Sequence, residues 1–522
     1  MPASPKSNSR FGWILGLGLL ARLAAFAWNT RLFGDVNLYA LVARQWREIG
    51  RLDYPGKFDF FDPAPYLALS TPVSQHPPAW SWLAGLIASA HLGIDEFIGL
   101  KLLCLFFGLA VITLGMSLAR TLAGDRAAIF TGLVLALHPM LIDFSANGSP
   151  YIAVAAGALA VALAVVSDEW NPCLRGVLAG AGAAASCSFH GVGILLIPAG
   201  LAGFLFNARP QTRLRVLSAY VGTVALALVP LFLWNEANFG QLLHSSSTFY
   251  VQGKLGLISL IDDASGIHYQ VGALSWHHAG PYALLALKSS FQFLLHLGLE
   301  TGFTGLALAA FGTVVLYKNP VRTRAAGLMI VMASIVGPCL GWPEFKYRFL
   351  VLLLPFVLIL AVVGAMRLAS RLRLWKVRLI LGASVTGCAA FWITQMALTG
   401  SPAKYYAYDL KHLHDYRLMR EAADFLRTQP HGVVLSFPRG LDGGVEAMWW
   451  HHQPAVLARG FRTPLLKRLV ADFRPDYLLL SPGETEKLAA IAPDAVLLFE
   501  NAGYLVYRRT PAGAATNETI VR

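Results

Sequence analysis

Asp35, His76, Lys346 and Arg348 are the residues of this 522-residue chain whose types and neighbours best suit chemistry. Asp35 follows Gly34 just after the first apolar run. It opens the stretch Val36-Asn37-Leu38-Tyr39-Ala40-Leu41-Val42-Ala43-Arg44-Gln45-Trp46, which has helical spacing. A carboxylate beside a membrane surface can take a proton from an acceptor group. An Asp is equally suited to cap that helix, and capping favours the charged form of a carboxylate. In Gln75-His76-Pro77-Pro78 the two prolines restrict the backbone and set where His76 points. At a helix start His76 can donate hydrogen bonds to a phosphate, or it is a solvated loop residue before a Pro-initiated helix. Gly341-Trp342-Pro343-Glu344-Phe345-Lys346-Tyr347-Arg348 leads into an apolar helix. Its two cations suit a lipid-linked phosphate, and they also suit snorkelling charges in an aromatic belt.

The elements that must carry these residues are membrane helices. The chain is 56% hydrophobic and 14% charged, with a mean hydropathy of +0.55. Soluble domains carry about 25% charged residues. Apolar runs are expected to span at 11–29, 97–119, 127–145, 150–166, 174–189, 190–206, 213–234, 291–317, 323–341, 347–366 and 376–398. That is eleven spans, give or take two. The net charge of +13 comes from basic residues in short loops, the positive-inside pattern rather than a nucleic-acid surface. Arg120 and Arg126, then Arg209, Arg213 and Arg215, then Lys318, Arg322 and Arg324, and the group Arg367 to Arg378 fall on one side. Taking that side as cytoplasmic puts the N-terminus inside and the C-terminus outside. The apolar stretch 77–92 is too short to span and would invert the charge parity of every later loop. It is expected to be an interfacial or re-entrant helix.

The exterior portions are then residues 30–96, 235–290 and the tail from 400. The helix after Asp35 sets Leu38, Leu41, Val42, Trp46 and Ile49 on one face. Arg44, Arg47, Glu48 and Arg51 lie on the other, as for a helix in the interface plane. In the tail, 433–437, 476–480 and 495–499 read as buried strands, and 421–427, 462–473 and 484–491 as helices. The division expected is a transmembrane catalytic domain over 1–399 and an exterior α/β domain over 400–522. Residues from Thr510 onward read as disordered.

Other candidates are weaker. Asp143, Asn147 and Ser149-Pro150 lie at the second outer turn, and Asp262-Asp263 in the large loop, without a metal pattern. His277-His278, His412-Leu413-His414 and His451-His452 lack acidic or cysteine partners at fixed spacing, so each is read as loop histidines before a metal site. The five cysteines (Cys104, Cys173, Cys187, Cys339 and Cys388) form no framework. Ala25-Phe26-Ala27 fits a signal-peptidase site, but Arg22 inside the run and the spans that follow favour a retained first helix.

Taken in order, these stretches resemble the GT-C glycosyltransferases over nearly the whole chain. Gly34-Asp35, Tyr39, Ala43-Arg44 and His76-Pro77-Pro78 resemble their first exterior loop. Leu174-Arg175-Gly176 through Gly180 to Pro198 is similar to their glycine-rich middle helices. Asn235 with Phe239-Gly240 resembles the start of their large loop, and Glu344 with Tyr347-Arg348-Phe349 and Pro355 their late motif. The branch most similar is the protein mannosyltransferase-like one, which includes the transferase of aminoarabinose to lipid A. The resemblance implies a multi-pass α-helical membrane protein with a C-terminal exterior α/β domain. It implies an inverting transfer of a hexosyl or pentosyl group from a polyprenyl-phosphate donor to a glycolipid, polysaccharide or protein. It places the site on the exterior face of a bacterial inner membrane. Asp35 would be the catalytic base, and His76, Lys346 and Arg348 the donor-phosphate ligands. Tyr39, Gln75, Asp143 and Glu344 would be further donor or acceptor contacts. Two departures stand out: Ser149 sits where an acid often precedes the proline, and Gln75 where an acid can precede the basic position. They leave acceptor activation to Asp35 alone and metal dependence open, with no cofactor required. The partners implied are the lipid-linked donor, membrane lipid and an unidentified acceptor, and no nucleic acid. A transporter or lipid flippase, and a GT-C relative without catalysis, are the alternatives. The transporter predicts charges deep in the spans, of which Arg22, Lys101, Lys288, His296 and Glu300 are the candidates.

Overall fold

The computed structural model describes residues 9–28, 35–57, 67–69, 71–73, 76–90, 93–242, 247–263, 266–318, 322–370, 410–437, 447–448, 450–458 and 461–509. The expected span 376–398, Gln75, His412 and His414, and the tail from Thr510 lie outside the described residues or side chains. The chain forms two compact units that do not divide at residue 400. A helical unit takes Met1–Thr30, Leu100–Ser245 and Leu274–Ala407. An α/β unit takes Arg31–Gly99, Ser246–Ala273 and Tyr408–Arg522.

Helices α1 (Ser9–Trp28), α2 (Asp35–Ile49), α3 (Ala79–Ala88) and α4 (Glu96–Ala123) come first. Next are α5 (Asp125–Leu137), α6 (Pro139–Phe144), α7 (Tyr151–Val166), α8 (Pro172–Phe189) and α9 (Leu196–Asn207). Then come α10 (Pro210–Phe239), α11 (Ser247–Lys254), α12 (Ala279–Tyr317), α13 (Arg322–Gly341) and α14 (Leu350–Ala369). Among the described residues five helical stretches are long and apolar enough to cross a membrane: Glu96–Ala123, Pro210–Phe239, Trp276–Tyr317, Thr323–Gly341 and Tyr347–Ala369. Leu214, Leu226 and Leu233 of α10 and Leu284, Leu287 and Phe291 of α12 are exposed, as on a lipid-facing surface. Helix α3 has ten residues, about 15 Å, half the thickness of a bilayer core.

Breaks within the expected spans have local causes. The run 127–145 is two helices, because His138 takes an extended backbone before Pro139 starts α6. The run 190–206 begins with a short 3₁₀ turn after His190, likewise extended. Helix α12 contains Gly302 at φ 59, ψ 134, a left-handed conformation that a side chain resists. Arg22, fully buried, serves the end of α5. It donates to the carbonyls of Leu135 at 3.2 Å and Ala136 at 3.0 Å, and to Ser145 Oγ at 3.0 Å. Those carbonyls are among the last four of α5 and have no partner within it. On the basic side, Asp168 accepts from Arg324 at 2.6 Å and Arg209 at 3.1 Å. Partial burial opposes its charge, but these two guanidiniums hold its carboxyl below the usual range.

The α/β unit is built on a six-stranded sheet. Its strands run in the order β2 (Gly56–Lys57), β7 (Ala455–Leu457), β6 (Val434–Phe437), β8 (Tyr477–Leu480), β10 (Leu505–Arg509) and β9 (Ala495–Glu500). The small strands β1 (Asp53–Tyr54) and β3 (Thr71–Pro72) pair with each other, as do β4 (Ile258–Asp263) and β5 (Gly266–Val271). The first four strands of the sheet are mutually parallel, and β10 and β9 close it antiparallel. Parallel strands need cover on both faces, and every residue of β6 and β8 is buried. Leu435, Phe437, Leu466, Leu469, Leu478 and Leu480 form the core, and helix Thr463–Phe473 supplies two of them. Beside β7, His451 is 1% exposed, and its Nδ1 accepts from the Gln453 N–H at 3.0 Å. Burial, and then the nearby His452 and Arg44, push its pKa down to about 3.

Two predictions follow from these contacts. Replacing Arg22 with Met leaves buried carbonyls without a donor, at about 1–3 kcal/mol each. Scanning fluorimetry should show a marked fall in melting temperature, and an unchanged value would remove Arg22 from the stability of α5. His451 titrates at about 3 when folded and at about 6.5 when unfolded. The unfolded chain therefore binds the extra proton between these values. His451 stability is complete above the upper pH and is lost on acidification towards the lower, by about 1.4 kcal/mol per pH unit. The melting temperature of His451→Asn should fall less steeply than wild type between pH 6 and pH 4; parallel curves would contradict this.

Candidate active site

Within the α/β unit, Asp35 is the first residue of α2 and so lies in its first turn. There the aligned peptide dipoles favour a carboxylate. Tyr39 is one turn further along the same face and only 2% exposed. His76 returns at the bend before Pro77 and Pro78, with α3 beginning at Ala79. The His76 Nε2 lies 3.9 Å from Asp35 Oδ2, an ion-pair distance if the imidazole is protonated. The Tyr39 and His76 rings have centroids 5.0 Å apart, tilted by 41°. The Asp35 side chain keeps about a third of its surface open and that of His76 less. The loop thus brings a carboxylate, an imidazole and a phenol to one place, partly open to a ligand.

Helix α2 departs from the expected interfacial helix in one respect. Arg44, placed by periodicity on the polar face, is 8% exposed, while Ile49 from the apolar face is 56% exposed. The reason is Glu96, 1% exposed, which sits 3.9 Å from the Arg44 Nε and 2.7 Å from the Arg47 Nε. Burial draws the Arg44 guanidinium down to about 10, and the neighbouring Glu96 opposes that shift. Trp46 and Trp82 meet edge-on, 6.3 Å between ring centroids, as α2 packs on α3.

Within the helical unit, the late motif forms the junction between α13 and α14. Tyr282 Oη donates to the Gly341 carbonyl at 2.8 Å and Ser290 Oγ to that of Leu340 at 2.6 Å, tying the junction to α12. Lys346 has an extended backbone ahead of a 3₁₀ turn, Tyr347–Phe349. Its Nζ is 2.7 Å from Glu344 Oε2. The Arg348 guanidinium lies over the Tyr151 ring, 5.2 Å from its centroid. His296 stacks on Phe345 at 4.8 Å and 8°. Asp143 sits on the short α6, with Oδ2 buried and lacking a hydrogen-bond partner among the described residues. It interacts electrostatically with Glu300 of α12, a neighbour that sequence reasoning did not pair with it. The contacts of the Tyr151 ring with the Arg348 guanidinium and with the His190 ring, centroids 4.5 Å apart, were also missed. The Pro150-Tyr151 helix start and the His190-Gly191 break were their only signals.

Asp35, Tyr39 and His76 are thus in mutual reach in one unit, and Glu344 pairs with Lys346 in the other. Among the described residues no three His, Cys, Asp or Glu side chains are grouped to hold a metal ion.

No protein-family model matches the sequence, and no curated protein sequence is similar to it. Solved structures do match in fold. ArnT from Cupriavidus metallidurans, bound to undecaprenyl phosphate, superposes with a TM-score of 0.63 at 16% identity over 97% of this chain and 99% of that one. The fold is that of the GT-C glycosyltransferases. The GT-C fold is seen again in the Archaeoglobus fulgidus oligosaccharyltransferase in complex with Zn and sulfate. Its TM-score is 0.59 at 15% identity, over 97% of this chain and 74% of that one. AglB from the same organism, in complex with an inhibitory peptide and a dolichol-phosphate, matches at 0.51 and 14% identity, over 97% and 75%. As a GT-C fold with several apolar helices of membrane length, the chain is an integral membrane protein.

The Tyr39 ring is a structural neighbour of His76, and its loss should be felt there. Tyr39→Ala is expected to destabilise by about 3–5 kcal/mol, as for other buried aromatics, and to lower activity. Tyr39→Phe should retain both. Equal behaviour of the two variants in melting and turnover would show that the ring does not support His76.

Proposed function

We propose that the protein moves a sugar from a polyprenyl-phosphate donor to an acceptor on the exterior face of a bacterial inner membrane. The anomeric carbon inverts in the transfer. The observation that carries this reading is the Asp35 carboxylate, held in the first turn of α2 and 3.9 Å from His76. The GT-C fold, and the lipid phosphates bound by ArnT and AglB, support the donor class.

In this reading Asp35 accepts the proton of the acceptor as its nucleophilic atom attacks the anomeric carbon. The bond from that carbon to the phosphate oxygen breaks, and the electron pair leaves with the phosphate. A phosphate is already stable as an anion, so no strong general acid is needed. What it needs is positive charge where its own charge grows, and His76, Lys346 and Arg348 are the groups proposed to supply it. Tyr39 and Glu344 orient their neighbours His76 and Lys346, with Gln75 and Asp143 as further proposed contacts. Arg is suited to this work because its planar fork can grip two oxygens at once.

Replacing Asp35 with Asn tests the assignment. Transfer from a polyprenyl-phosphate sugar, measured in membranes, should fall by about 10²–10⁴, while binding of undecaprenyl phosphate to the purified protein changes little. Full turnover in the variant would end the general-base role.

A further inference from the structure

Asp35 and His76 stand at the starts of two helices that run side by side in the same sense. Asp35 opens α2, and Pro77 and Pro78 join His76 to α3 at Ala79. Further along, the two helices meet backbone to backbone. A Cβ placed on Gly85 of α3 would stand 2.9 Å from the Ala43 carbonyl oxygen of α2 and 2.8 Å from Trp46 Cε3. Real Cβ atoms do not come that close, so any side chain at this position must push α3 away from α2. Trp46, which packs on Gly85, also meets Trp82 of α3 edge-on. Helix α4 closes a triangle with these two. By the same measure a Cβ on Gly99 of α4 would stand 2.8 Å from the Ala84 carbonyl oxygen of α3. Glu96, the first residue of α4, reaches α2 at the Arg47 Nε, 2.7 Å away, and the Arg44 Nε, 3.9 Å away. Each helix of the three is therefore fixed against the other two.

We infer that Gly85 is a positioning residue for the Asp35 and His76 pair. By lacking a side chain it sets how closely α3 lies on α2, and so how far the imidazole stands from the carboxylate. This rests on the proposed roles of Asp35 and His76. A glycine inside a helix is less favourable than alanine by about 0.5–1 kcal/mol. Gly85 lies inside the ten-residue α3 and is buried there, so the close approach is what the glycine serves. Both helices are short and stiff, and a displacement forced at Gly85 is carried to their starts. The 3.9 Å between His76 and Asp35 is already longer than a hydrogen bond, and further separation weakens their interaction. Misplacing a catalytic group by about 1 Å can cost about a hundredfold in rate. The ionic link from Glu96 holds the third side, so α3 cannot relax by sliding outward without parting from α4.

The experiment follows the His76 ring by nitrogen NMR in the full-length protein, labelled at histidine and held in nanodiscs. The His76 signals are assigned by their loss in His76→Gln. Asp35→Asn should shift them in the wild-type background. In Gly85→Ala the same Asp35→Asn change should shift them by less than about half as much, because the two side chains are coupled only while they are close. Leu469→Ala, in the core of the sheet, is the control for mere loss of stability. It should lower the melting temperature, as buried leucines do, and leave the Asp35 effect at its wild-type size. If Gly85→Ala does not fold, Arg47→Met takes its place, since it cuts the 2.7 Å link to Glu96 and should also reduce the Asp35 effect. An Asp35 effect of full size in either variant, an equal reduction in Leu469→Ala, or no Asp35 effect in wild type would overturn the inference. The reading beneath it is tested apart, by binding of undecaprenyl monophosphate, which should weaken about tenfold in His76→Ala. Unchanged binding there would overturn the phosphate role of His76, while the NMR signals still report the spacing itself.

Discussion

A two-residue strand sets the conditions for the candidate site. Gly56 and Lys57 lie in the first loop, between Asp35 and His76 in sequence, and pair in parallel with Ala455 and Val456. The approach is close: a Cβ on Gly56 would stand 2.3 Å from the Ala455 carbonyl oxygen and 2.8 Å from Met448 Cε. Only a glycine permits it. The loop thereby becomes an edge strand of the tail's own sheet, and the segments flanking Asp35 and His76 are anchored to a rigid element. A free loop spanning this length would spend conformational entropy whenever it ordered. Here the ordering is part of folding, and the 3.9 Å between the two side chains is available before any ligand arrives.

That anchoring explains the treatment of charge nearby. Arg44 and Arg47 converge on the buried Glu96, so α2 is fixed at its far end by an ion triad and at its near end by the loop. A buried pair of this kind contributes little net stability, because desolvation offsets attraction, but losing one partner is costly. Its effect is to select one orientation for α2. Asp35 and Tyr39 share the helix and inherit that orientation. Lys57 and Asp53, both buried in the same loop, follow the same pattern of polar groups drawn into the unit rather than left in water.

Local pattern made some of this readable and long-range pairing concealed the rest. The runs 433–437 and 476–480 contain the buried strands β6 and β8, legible from their own composition, whereas 495–499 is a strand, β9, but lies at the sheet edge with its residues half-buried or exposed rather than buried as expected. Strands β2 and β7 have two and three residues and no alternation to read. They exist because each finds the other. Arg44 was misplaced for the same reason: helical periodicity assigns a charge to solvent unless a partner is known, and Glu96 lies far along the chain. The shortness of α3 and the charge parity of the later loops were visible, as was the Asp35 and His76 pairing of types. Tyr151 and His190 could not be linked to Arg348, because three helices must pack before their rings meet.

The charges within the helical unit bear on what the unit does. Intramembrane ionisable groups are by default candidates for a transport path. Arg22 donates to the last carbonyls of α5. Lys101 hydrogen-bonds the Phe26 carbonyl near the end of α1 and sits over the Phe26 ring. Both cations therefore meet the exposed acceptors that every helix leaves at its C-terminus, in a setting where water cannot. A residue engaged in closing a helix end cannot also release a moving ion without opening that end. Two of the five charges that a transport reading would draw on, Arg22 and Lys101, are thereby accounted for as structure. In the reading proposed above, the chemistry falls instead to residues of the loops, with the Asp35 carboxylate first among them.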